Sequence, residues 1–180
     1  MRVLGIDPGT RHLGWGVLDQ EGTKITHVAH GVIDTDTSGT LAPRLVEIDD
    51  ALTEILALHK PEIAVVEALF FAKDAQAASK LGHARGVVLL RMARASLPIF
   101  EIAPTRVKRA VVGRGFATKE QVALVMTQLL RLTAPPRFDA ADALANAFAH
   151  LTMAPFAAAM AAAGVITPKR TRARRPALKR

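Results

Sequence analysis

The chain has 180 residues, half of them hydrophobic, no cysteine, and a formal net charge of +8. That is enough apolar material for one buried core without disulfides, and it excludes thiolate metal sites and cysteine nucleophiles. No continuously apolar run reaches the roughly 18 residues of a membrane span, and the apolar run before Asp7 is too short for an export signal, so a soluble, cytoplasmic protein is expected.

In chain order, residues 3–6, 13–18 and 24–33 read as strands, with turns at residues 7–10 and 20–22. Apolar residues at Leu45, Ile48, Leu52, Ile55 and Leu56 give residues 41–59 a helical period, which Lys60-Pro61 stops before an apolar strand at 63–66. A second helical stretch covers 74–97 and a short strand 99–102. Pro104 then stands where a first helical turn begins. Thr118-Lys119-Glu120-Gln121 has the form of a capping box opening a helix to about Leu130, and Pro135-Pro136 breaks the chain before an alanine-rich helix opened by Asp139. Three antiparallel strands followed by helix, strand, helix, strand imply a mixed α/β fold with a five-stranded sheet. We take residues 1–163 as its domain. Residues 164–180 carry seven cations and no acid, and read as a disordered basic tail.

Four acids stand out against this frame. Asp7 and Glu67 each end an apolar strand, where an isolated charge is costly to bury, and Asp139 and Asp142 share one face at the start of a helix. Carboxylates gathered from separate elements suit hard divalent cations, and a pair of such ions about 3.5 to 4 Å apart is a common clamp for phosphodiester hydrolysis. Asp139 alone also suits an ordinary N-cap, and the helix dipole favours both aspartates even without metal. Charge is unevenly placed: residues 1–72 hold 5 basic and 11 acidic groups, residues 73–138 hold 12 basic and 3 acidic. An acidic segment beside a basic one suits a metal-dependent enzyme acting on a polyanion. The leading expectation is a magnesium-dependent nuclease.

With those residues in view, four segments carry a resemblance to the RuvC-type Holliday junction resolvases of the ribonuclease H-like superfamily. They are Gly5-Ile6-Asp7-Pro8-Gly9-Thr10 with Gly14-Trp15-Gly16; Val66-Glu67-Ala68-Leu69-Phe70-Phe71-Ala72-Lys73; Lys80-Leu81-Gly82-His83-Ala84-Arg85-Gly86; and Asp139-Ala140-Ala141-Asp142-Ala143-Leu144-Ala145. The run from Val107 to Gly113 is similar as well. Together these span roughly residues 1–150.

The resemblance implies a ribonuclease H-like sheet and a crossover junction endodeoxyribonuclease that nicks four-way DNA symmetrically, leaving 5′-phosphate and 3′-hydroxyl ends. Asp7, Glu67, Asp139 and Asp142 would hold two Mg²⁺ ions, with Mn²⁺ as a substitute, and Lys108 and Lys119 would stabilise transition-state charge. Phe70 would stack on opened bases, with Phe71 in the core, while Lys73, Lys80, Arg85, Arg109 and Arg114 join the two lysines in contacting DNA. A RuvA/RuvB-type branch-migration complex is the implied partner. Gly82 and Gly86, followed by Val87-Val88-Leu89-Leu90, leave the 74–97 helix apolar around more than half its circumference, which points to a homodimer through that helix. Two other readings stay open: an actin-like phosphotransferase fragment, from the Asp7-Pro8-Gly9-Thr10 loop, and a junction-binding module without catalysis.

Overall fold

In a computed structural model describing residues 1–68 and 75–162, the first three strands form an antiparallel meander: β1 (Arg2–Asp7), β2 (His12–Glu21) and β3 (Lys24–Asp34). Helix α1 (Leu41–His59), strand β4 (Ile63–Glu67), helix α2 (Ala75–Arg94) and strand β5 (Ile99–Ile102) follow, then helices α3 (Pro104–Val112), α4 (Lys119–Leu129) and α5 (Phe138–Ala162). Strand order is β3-β2-β1-β4-β5, with β4 parallel to both β1 and β5. This is the mixed five-stranded sheet expected from the pattern of elements. Phe70, Phe71, Lys73 and the segment 164–180 lie outside the described residues.

Local chemistry accounts for the boundaries. β2 runs three residues beyond the expected Leu18, because Gly22 at φ 59° turns the chain within two residues and lets Glu21 pair with Lys24. α1 ends where Lys60 adopts a left-handed φ of 48° just before Pro61. The capping box at α4 is formed: the backbone N–H of Gln121 donates to the Thr118 hydroxyl at 3.3 Å, and that of Thr118 donates to the Gln121 side chain at 3.0 Å.

Alternation along the strands divides the core in two. Leu4, Ile6, Ala64 and Val66 face α1 and α2, packing with Ile48, Leu52, Val88 and Met92. On the other face Val3, Val65 and Ile102 pack with α3, α4 and α5. By the same period Gly5 and Asp7 in β1, and Glu67 in β4, point toward α5. Gly14 and Gly16 of β2 share that face, Gly16 paired with Gly5 and Gly14 with Asp7.

These glycines let α5 lie directly on the sheet. A Cβ on Gly5 would sit 1.9 Å from the Ala143 carbonyl oxygen, one on Gly14 1.9 Å from that of Asp139, and one on Gly16 2.6 Å from the Leu144 side chain. The alanines of α5 complete the fit, with Ala140, Ala141, Ala143, Ala145, Ala147 and Ala149 all buried. Buried Asn146 donates its side-chain amide to the Ile6 carbonyl at 3.0 Å, tying α5 to the residue before Asp7. Gly14→Ala is therefore expected to force α5 away from the sheet and to destabilise the protein by about 1–3 kcal/mol, read as a lowered midpoint of thermal unfolding.

Candidate active site

Asp7 and Glu67 are neighbours because β1 and β4 run in parallel, with Ile6 beside Val66 in the last pair of their ladder. Helix α5 brings Asp139 and Asp142 to the same edge, α3 supplies Lys108, and α4 supplies Lys119 as its first residue. Asp7, Glu67, Asp142, Lys108, Lys119 and Asn146 line one cavity of about 150 Å³. Asp139 is partly buried beside it and does not line it. Two larger hollows, of about 560 and 550 Å³, are lined without a single carboxylate, so chemistry and not size singles out the smaller one.

Negative charge is crowded here. Burial, then the Glu67 and Asp142 carboxylates, pushes Asp7 up to about 8, against the pull of Lys119. Burial and Asp142 raise Glu67 as well, while Lys119 and a hydrogen bond from Asp7 pull it down. Asp142 is raised by burial and eased by Lys119, whose Nζ lies 3.3 Å from its Oδ2. The Lys119 ammonium is lowered by its own burial, but the surrounding acids outweigh this and raise it overall.

Among the described residues no three histidine, aspartate or glutamate side chains are drawn into a closed metal cage. Asp142 instead turns to Lys119, and Asp7 to Glu67. The donor set fits a hard divalent cation all the same: it consists of oxygens, it is partly buried, and three of its carboxyls are held up by desolvation and mutual repulsion that a cation would relieve.

Of the other expected DNA contacts, Lys80, Arg109 and Arg114 are exposed. Arg85 is not. It is only 6% exposed, its guanidinium donating to the Glu67 carbonyl oxygen and lying 2.8 Å from Glu101 Oε2, so the expected phosphate contact gives way to an internal one. Phe70 and Lys73 fall outside the described residues.

Two features of the site were missed by sequence reasoning. Asn146 stands four residues after Asp142, on the face that Asp139 and Asp142 share, and as the single amide in an alanine-rich run it was visible in principle. The second is a clamp at the start of α5: Arg137 binds Asp34 through both terminal nitrogens, at 2.5 and 2.9 Å, while His12 Nδ1 lies 2.6 Å from the same carboxylate. Arg137 and His12 hold Asp34 down to about 2. The Arg137 carbonyl accepts the Ala141 N–H at 2.9 Å, so the clamp seats the turn that carries Asp139.

A raised acid reverses the usual effect of pH. Asp7 binds a proton more tightly folded than unfolded, so its contribution to stability is complete below the ordinary carboxylate range and is lost as pH rises through about 8. In EDTA, the thermal midpoint of the wild type should fall toward pH 9. Asp7→Asn should flatten that fall, and a divalent cation should raise the wild-type midpoint at high pH and leave that of Asp7→Asn less changed.

The chain is similar to known proteins along most of its length. The family model described as "Crossover junction endodeoxyribonuclease RuvC" matches residues 3–150. A crossover junction endodeoxyribonuclease RuvC from Sorangium cellulosum is 68% identical over 178 residues, covering 99% of each chain. T. thermophilus RuvC, solved in complex with Holliday junction substrate, superposes with a TM-score of 0.81 at 37% identity, over 87% of this chain and 96% of that one. The yeast mitochondrial Holliday junction resolvase Ydc2, at 17% identity and a TM-score of 0.52 over 83% and 77% of the two chains, shares the fold. With a family model spanning most of its length and a relative this similar from end to end, the chain belongs to the RuvC family of crossover junction endodeoxyribonucleases.

Proposed function

We propose that the protein resolves four-way DNA junctions by paired symmetric nicks, leaving 5′-phosphate and 3′-hydroxyl ends. The observation that carries the reading is the cavity in which Asp7, Glu67 and Asp142 face Lys108 and Lys119, on a chain matched across 87% of its length by a relative solved with Holliday junction substrate. Acids alone would repel a phosphodiester, and lysines alone would bind it without cutting; the combination serves metal-assisted hydrolysis. Two magnesium ions, or manganese in their place, held by Asp7, Glu67, Asp139 and Asp142, supply Lewis-acid polarisation of the phosphodiester and a lowered pKa for the attacking water when bound.

The protein's own groups do the rest. Asp7 must give up its proton before it can act as a ligand, and Asn146 holds the backbone just before it. Lys119, paired with Asp142, exchanges that partner for the charge building on the scissile phosphate, and Lys108 acts beside it. Exposed Lys80, Arg109 and Arg114, together with Lys73, track the backbone, and Phe70 stacks on a base opened at the crossover. The nuclease occupies residues 1–163, with the basic segment 164–180 outside it, and a RuvA/RuvB-type motor is its partner class.

Two cuts on opposing strands call for two such sites related by a two-fold axis. The outward face of α2 suits a second copy: a Cβ on Gly82 or Gly86 would meet nothing within 4 Å, and Leu90, one turn on, is 53% exposed. Sedimentation at micromolar concentration should give a dimer, and Gly86→Arg a monomer; a monomeric wild type would remove this part of the reading.

The central test compares a synthetic four-way junction with a linear duplex of the same sequence, with and without Mg²⁺. Symmetric nicks are expected only in the junction and only with metal, and equal cutting of the duplex would leave a nuclease without junction selectivity. Asp7→Asn should bind the junction without nicking it. Lys119→Ala should lower kcat by roughly 10²-fold at saturating DNA with little change in Kd, whereas a change in Kd alone would make Lys119 a binding residue only.

A further inference from the structure

We infer that Arg85 is a positioning residue for the nicking reaction, setting the place of Glu67 from behind the sheet. Glu67 is the last residue of β4, and the β1–β4 ladder ends one residue earlier, at Ile6 and Val66. On its other side β4 is still held, since the Ala68 N–H donates to the Ile102 carbonyl at 2.8 Å. The Glu67 carbonyl receives the Arg85 guanidinium. A buried carbonyl without a donor is costly, and a strand end without one is free to shift.

The guanidinium reaches this carbonyl from the α2 face, while the Glu67 carboxylate points to the α5 face where the acids gather. Arg85 therefore meets Glu67 at its backbone carbonyl and does not line the cavity where the carboxylates gather. Its second anchor is Glu101 of β5, across the ladder from Val66, with Arg85 Nη2 2.8 Å from Glu101 Oε2. Two donors fixed in one planar fork thus join α2, β4 and β5 at the residue where the carboxylate must be aimed. The same buried position, at 6% exposure, explains why a cation in the basic half of the chain is withheld from the substrate.

The inference rests on the proposed role of Glu67, and its test separates the two. For Arg85→Ala in the full chain, kcat on the four-way junction at saturating DNA should fall roughly 10- to 100-fold while junction Kd, read by fluorescence anisotropy in EDTA, stays within about twofold. Millimolar methylguanidinium should restore a measurable part of kcat, and Arg85→Lys, which keeps the charge without the fork, should remain impaired. Glu101→Ala, at a side chain 54% exposed, should lose kcat severalfold in the same sense, and decides the matter alone if Arg85→Ala does not fold. A raised Kd at unchanged kcat, or unchanged kcat in both variants, would overturn the proposal. A wild type that never nicks junctions would instead sink the reading of Glu67 as a catalytic ligand.

Discussion

Backbone contact between α5 and the β1–β2 hairpin is the constraint from which the site follows. A helix normally stands about 10 Å off a sheet because side chains intervene. Here Gly5, Gly14 and Gly16 remove those side chains along one line, and alanines remove them from the helix. The carbonyls of Asp139 and Ala143 then rest where Cβ atoms would be, and the first turn of α5 arrives beside the end of β1. Asn146 and the Arg137–Asp34 pair fix the helix along its axis, one bonding to the Ile6 carbonyl and the other to the end of β3.

That closeness is electrostatically unfavourable. Asp7, Glu67 and Asp142 are all raised from their ordinary values, each first by burial, and Lys119 offsets only part of the repulsion. A fold that kept these acids apart would be more stable at neutral pH and could not gather a cation. The packing energy of two apolar layers, one on each face of the sheet, holds together a cluster that would otherwise separate. Strain of this kind is what a metal-dependent hydrolytic site requires, since it is relieved when positive charge arrives.

The sequence displayed the ends of this chain of causes more clearly than the middle. Asp7 and Glu67 were legible because each charge stops an apolar run at the end of a strand. The sheet was legible because turn residues and helical periods are local signals. Gly14 and Gly16 were visible as residues but not as a seat for α5, since their role depends on a helix more than 120 residues away. Arg85 shows the opposite limit. Its charge could be read and its burial could not, because only the packing of α2 on β4 decides whether a guanidinium faces water or a carbonyl oxygen. The Arg137–Asp34 pair, 103 residues apart, left no local mark at all.

One consequence follows from where the parts lie along the polypeptide. The amide of Asn146 binds the carbonyl of Ile6, 140 residues earlier, and Asp142 completes a cavity begun by Asp7. During translation the meander and its glycine seat emerge first, and the helix that fills the seat is the last described element to leave the ribosome. A nascent chain that lacks α5 therefore holds Asp7 and Glu67 without Asp139 or Asp142, and its cavity is incomplete. The acidic cavity is thus closed only once α5 has followed the sheet out of the ribosome.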